Sequence, residues 1–149
     1  MVRNDIYTTY NNREYVIARI DGHYELLSTD KEDLENNGFS VYVLPEYTIV
    51  NGKKYKFVNA DRVSDNFYKI VSPTEVGEVY SIDTYGIYKN YKFSLSEHGE
   101  QYTLWTSDCE IAEKLGFDML GRGDYEKLVP KSDIEHIYEV KEIIPDYFE

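Results

Sequence analysis

The chain has 149 residues, with 16 Lys and Arg against 28 Asp and Glu, so its formal net charge is −12. That charge repels phosphates and argues against direct nucleic-acid binding, while 42% hydrophobic and 15% aromatic residues exclude a disordered acidic chain. No apolar run reaches the roughly 20 residues that span a bilayer, Met1–Tyr7 holds no apolar signal core, and the single Cys109 leaves no internal disulfide and no multi-Cys zinc site; the expectation is a soluble, cytoplasmic, acidic folded protein.

In chain order, Tyr15–Ile20 is rich in β-branched and aromatic residues, and Asp21-Gly22 turns it into His23–Leu27, a hairpin pattern. Thr29 and Glu32 then have the spacing of a helix-starting capping box. Gly38 supplies a left-handed stop, so there is room for about two helical turns. Phe39–Val43 reads as a strand, and Asn51-Gly52 is a strong hairpin turn. Ser64–Val71 has a polar start and an apolar finish. Ser72–Gly77, with Pro73, marks a boundary.

The second half repeats this order. Tyr91–Leu95 and Gln101–Trp105 form a hairpin pattern around Glu97-His98-Gly99, Ser107 and Glu110 have capping-box spacing, and Gly116 is the stop. Sliding the chain by 78 residues lays Tyr24–Phe39 on Tyr102–Phe117 with 7 identities in 16 positions, where chance gives about 1. At the same offset Tyr7, Tyr10 and Asn12 fall on Tyr85, Tyr88 and Asn90. At an offset of 71, Lys56-Phe57-Val58 meets Lys127-Leu128-Val129. Near the end, Ile134, Ile137 and Tyr138 have helical spacing for one turn before Val140, Ile143 and Ile144 favour a strand. The reading is an α+β fold, a tandem duplication of a small antiparallel β-rich module with one short helix per copy. The modules are 1–73 and 74–149, packed as one unit.

The charge is unevenly divided. Residues 1–73 hold 9 Lys and Arg and 11 Asp and Glu, a net of −2; residues 74–149 hold 7 and 17, a net of −10. Glu110, Glu113, Asp118, Asp124, Glu126, Asp133 and Glu135 make an acidic surface suited to a basic partner. Among the 16 tyrosines, Tyr125 follows Gly121-Arg122-Gly123-Asp124, read as an acidic loop, and is the first choice for a binding tyrosine. Tyr10, Tyr24, Tyr88 and Tyr102 recur between the halves and are expected in the core.

Catalytic patterns are missing from the sequence. His23, His98 and His136 have no metal-ligand spacing. Cys109 opens a helix but is flanked by Asp108 and Glu110, which disfavour a thiolate. Gly121-Arg122-Gly123 lies outside any phosphate-binding strand-to-helix pattern. Asp30–Asp33 and Asp61–Asp65 lack calcium-loop spacing. No cofactor and no metal is expected, and the protein is read as no enzyme.

The pattern Tyr24-x-Leu26-Leu27-x-x-Asp30 to Gly38-Phe39, its second copy, and Val129-Pro130-Lys131-Ser132-Asp133-Ile134-Glu135 resemble small immunity proteins of bacterial polymorphic toxin systems. The resemblance implies a compact protein that binds and blocks a cognate toxin, commonly a basic nuclease; it assigns no residue a role. The expected partner is therefore a basic toxin domain masked by the acidic, Tyr-containing surface. A nucleic-acid mimic or another acidic interaction module, and an enzyme with a carboxylate site between the modules, are the alternatives.

Overall fold

Paired left-handed residues set the strand pattern. Asn11 and Asn12 have φ of 49° and 63°, Asp21 and Gly22 50° and 82°, Asn51 and Gly52 51° and 78°, and Lys89 and Asn90 49° and 70°. Two consecutive positive φ values make the two-residue turn whose twist matches antiparallel strands. The computed structural model describes residues 2–43, 46–56 and 63–149, with Val63 described for its backbone alone. Of the sequence readings, the pairing of Phe57-Val58 and the Asp61-Arg62 start of Asp61–Asp65 lie outside the described residues. The chain is β-rich with two short helices. It divides into two units whose membership differs from 1–73 and 74–149. The first is Tyr7–Glu78 with Phe148–Glu149, and the second is Met1–Ile6 with Val79–Tyr147.

In the first unit β1 (Asp5–Tyr10, from Tyr7 on), β2 (Arg13–Ile20), β3 (His23–Ser28), β7 (Val63–Val71) and β4 (Ser40–Val43) pair antiparallel in that spatial order. β5 (Tyr47–Val50) and β6 (Lys53–Lys56) form a separate hairpin around Asn51-Gly52. α1 (Lys31–Asn36) follows β3. Strand alternation puts Tyr15 and Ile17 inside, with Leu26, Phe39, Phe67 and Val71 also buried. Phe148 joins this unit by an edge-on ring contact with Tyr24, centroids 4.8 Å apart. In the boundary segment Pro73–Glu75 is a 3-10 turn closed by the Glu75 carboxylate, which accepts from the Ser72 N–H at 2.9 Å and hydroxyl at 3.0 Å.

In the second unit β8 (Val79–Tyr88), β9 (Tyr91–His98), β10 (Gln101–Thr106), β12 (Asp124–Pro130) and β11 (Asp118–Gly121) succeed one another across the sheet. β13 (His136–Ile143) pairs antiparallel with β8. α2 (Cys109–Leu115) covers one face, its Ile111 and Leu115 packing on a core of Tyr88, Phe93, Leu95, Leu104 and Val129. Val2 reaches the same core. Arg3 and Asn4 fasten this end: Arg3 pairs with Glu139 at 2.9 Å, and Asn4 Nδ2 donates to the Leu95 carbonyl at 2.5 Å. The Thr84 N–H in turn donates to Asn4 Oδ1 at 2.8 Å.

Several expectations change in detail. The helix caps are Asp30 and Asp108, one residue beyond Thr29 and Ser107; their carboxylates accept from the Glu32 N–H at 2.9 Å and the Ile111 N–H at 3.1 Å. A carboxylate satisfies an orphan N–H and also favours the positive helix end. Gly116 is the left-handed cap of α2, while Gly38 (φ 77°) lies one residue past the α1 cap, Asn37. The helical spacing at Ile134–Tyr138 is overridden. A 3-10 turn at Lys131–Asp133 leads straight into β13, which pairs with β8 from His136↔Ile87 to Ile143↔Tyr80, as β-branched Ile137, Val140 and Ile143 favour. Of the four recurring tyrosines only Tyr88 is fully buried; Tyr10, Tyr24 and Tyr102 are half-buried. No helix among the described residues is long and apolar enough to cross a membrane.

Candidate functional site

In a pleated sheet, residues directly opposite one another share a face. The registers Tyr138↔Tyr85, Tyr85↔Ser94, Ser94↔Trp105, Trp105↔Glu126 and Glu126↔Asp118 therefore place six side chains in one row across β13, β8, β9, β10, β12 and β11. The core residues Phe93, Leu95, Leu104 and Val129 alternate to the other face, the one α2 covers. The row runs from aromatic to acidic. Tyr138 and Tyr85 lie 5.8 Å apart, His136 stands 5.8 Å from Tyr138, and Lys92 Nζ sits 4.2 Å from the Tyr85 ring centre. At the middle, Trp105 keeps 37% of its surface exposed, and its indole N–H donates to Ser96 Oγ at 3.1 Å. Leu128, two residues beyond Glu126, is exposed as well.

The eight residues expected from the sequence separate into groups. Asp118, Asp124 and Glu126 share the Trp105 face, since Asp124 lies two residues before Glu126. Tyr125 corrects its expected place: it belongs to strand β12, half-buried, and the preceding residues are a β-hairpin rather than a loop. One step out of phase with Glu126, it turns to the helix side. There a hydrogen bond with Cys109, then desolvation and the Glu113 charge, hold its hydroxyl above the ordinary tyrosine range. Glu110 and Glu113 are exposed on α2. Asp133 and Glu135 follow Pro130, whose partner Gln101 is at the far end of β10 from Thr106. Among the described residues none of these seven carboxylates forms an ion pair; the paired acids in this unit are Glu97 with Lys131 and Glu139 with Arg3.

The sequence reading missed Trp105, Tyr85 and Tyr138. Trp105 was aligned with Leu27 as one repeat position, and only the strand phase shows that it opposes Leu104. The available signal was a lone tryptophan alternating with buried leucine. Beside it, Ser94, Trp105, Thr106, Ser107, Asp124 and Tyr125 bound an open cavity of about 220 Å³.

The first unit holds two buried carboxylates whose partners are internal. Asp33 accepts from Tyr15 Oη at 2.6 Å, Ser28 Oγ at 2.5 Å and Asn37 Nδ2 at 2.8 Å, with Arg13 at 3.4 Å. Glu25 accepts from the Tyr42 hydroxyl and faces His23 Nε2 at 2.6 Å. Burial, and then the hydrogen bond to Glu25, hold Tyr42 protonated far above its ordinary value. Both carboxylates fix their surroundings and leave little capacity for a substrate. Among the described residues no group of three or more His, Cys, Asp or Glu side chains is placed to hold a metal ion.

A family model described as "Uncharacterised conserved protein UCP033725" matches residues 2–146. The chain belongs to that family. The match spans residues of both units. No curated protein and no solved structure matches the chain.

Proposed function

We propose that the protein is a non-catalytic binding protein that neutralises a basic partner, in the manner of an immunity protein masking a nuclease toxin in the bacterial cytoplasm. One observation carries this reading: Asp118, Asp124 and Glu126 stand without cationic partners among the described residues, on the same open sheet face as an exposed tryptophan. Unpaired charge speeds encounter with an opposite surface, and an exposed aromatic anchor holds the complex once water is expelled. The net of −10 on residues 74–149 against −2 on residues 1–73 fits a duplicated module in which one copy has specialised. Support for the duplication comes from the matching order of hairpin, strand and helix in each half, the recurring turns at Asn11-Asn12 and Lys89-Asn90, and the helix caps Asp30 and Asp108.

The test is affinity capture from the native host at low and high salt, followed by identification of the bound protein and an assay of its activity. The expected result is one basic protein, released by salt and inhibited at one-to-one stoichiometry. Capture of nothing at either salt, or of a partner whose activity is unchanged, overturns the reading. Within the complex, Asp124→Lys with Glu126→Lys is expected to weaken binding by about 10- to 100-fold and to flatten its salt dependence, because attraction becomes repulsion at the acidic end of the face. Titration calorimetry across a salt series measures both.

A further inference from the structure

We propose that the cavity beside Trp105 is a guanidinium site that takes an arginine side chain of the basic partner. The proposal deepens the reading above and rests on it only for the protein that supplies the arginine. At about 220 Å³ the cavity is smaller than the clefts that hold whole small-molecule ligands, and it suits the end of one side chain. Thr106 and Tyr125 are register partners in the opposite phase to Trp105 and Glu126. Both nonetheless line the cavity with Ser94, Trp105, Ser107 and Asp124, and its one carboxylate and its indole come from Asp124 and Trp105.

Each of these groups selects. A carboxylate at the wall, with Glu126 and Asp118 on the same face, repels anions. A neutral ligand would leave Asp124 unmatched. A cation is drawn to the carboxylate and to the indole face together. Between the two common cations, a planar guanidinium stacks on an indole and donates in a fork to a carboxylate, whereas an ammonium is compact and strongly hydrated. The hydroxyls of Ser94 and Ser107 can accept the remaining N–H groups. The Trp105 N–H bond to Ser96 holds the ring in place before any ligand arrives, which lowers the ordering cost of binding. Among the described residues no cation pairs with Asp124, although Arg122 lies only two residues before it in the hairpin turn.

Trp105 is the sole tryptophan, so its fluorescence and its single indole N–H resonance report on this cavity alone. The experiment titrates the intact chain with N-acetyl-arginine amide at constant ionic strength, with N-acetyl-citrulline amide as the uncharged isostere and N-acetyl-lysine amide as the point charge. The arginine amide is expected to shift both signals saturably, with citrulline and lysine amides at least about tenfold weaker. Asp124→Asn is expected to weaken the arginine amide about tenfold. Asp65→Asn, an equal charge change in the first unit, leaves it unaltered. A linear, unsaturable response, equal binding of citrulline or lysine amide, or an Asp124→Asn protein that binds as the parent does, each overturns the site. If the arginine amide binds as described but the host yields no basic partner, the cavity stands and the inhibitor reading falls. The reverse pair of results removes the cavity and keeps the inhibitor.

Discussion

At the scale of single residues, Asp33 is a buried carboxylate fixed by four side-chain partners. Burial alone would raise its pKa, but hydrogen bonds from Ser28, Tyr15 and Asn37, with the Arg13 charge, outweigh burial and hold it below the ordinary 3.8. Its partner Tyr15 is pushed up to about 12, chiefly by burial and then by Asp33, and remains a donor. Because the native value lies below the unfolded one, this group's stabilisation is complete above the unfolded pKa and is lost as pH falls through the native one. Asp33→Asn turns an amide N–H₂ toward donors. It is expected to cost about 2–3 kcal/mol at neutral pH and to flatten the acid limb of the stability curve, as urea unfolding over a pH series would show. Residue-scale features were only partly legible. Asp30 and Asp108 were visible as acids near helix starts, but choosing between adjacent Thr-Asp or Ser-Asp caps needs the backbone geometry. Trp105 was invisible as a surface residue because its exposure follows from strand phase, which sequence spacing alone leaves open by one residue.

At the scale of elements, the hairpins with Asp21-Gly22 and Asn51-Gly52 were readable because glycine at a left-handed position is a strong signal. The hairpins at Asn11-Asn12 and Lys89-Asn90 lack glycine, so β1 and β8 went unread although their turns have the same left-handed φ values. β11 was hidden for another reason: its four residues are all exposed, and it carries no apolar alternation. Gly86 shows what sheet packing demands in β8. A methyl group there would meet Leu95 Cδ1 at 2.7 Å and Ile134 Cγ2 at 2.9 Å. Gly86→Ala is thus expected to destabilise the second unit by about 1–3 kcal/mol, with chemical denaturation as the check. Lys127 offers a milder case. Its ammonium donates to the Leu115 carbonyl at the end of α2, 3.2 Å away, where a cation complements the helix dipole. Lys127→Met is expected to lower stability by under about 1 kcal/mol in the same assay.

At the scale of the molecule, the chain divides into two units, and the exchange of ends between them was not legible in the sequence. Val2, Arg3 and Asn4 bond to partners 80 to 136 positions away, as Thr84 and Glu139 do with Asn4 and Arg3, and no local pattern signals so distant a match. Their removal is expected to lower amide protection in β8 and β13 while β2 and β3 keep theirs, measured residue by residue by hydrogen exchange. The acids on the Trp105 face are near it in sequence, yet their grouping was hidden too: composition announced the charge, and strand register gathered Asp118, Asp124 and Glu126 beside Trp105.

The exchanged ends also dictate an order of events as the chain is made. Residues 7–78 can leave the ribosome and collapse as soon as they are complete, at the usual 5–20 residues per second. Val2, Arg3 and Asn4 are synthesised before all of them, yet their partners in β8, β9 and β13 arrive only with the later part of the chain. This early segment is therefore among the last to be fastened. It waits outside the ribosome with an unclaimed valine and arginine, open to chaperones and peptidases until the second unit closes over it.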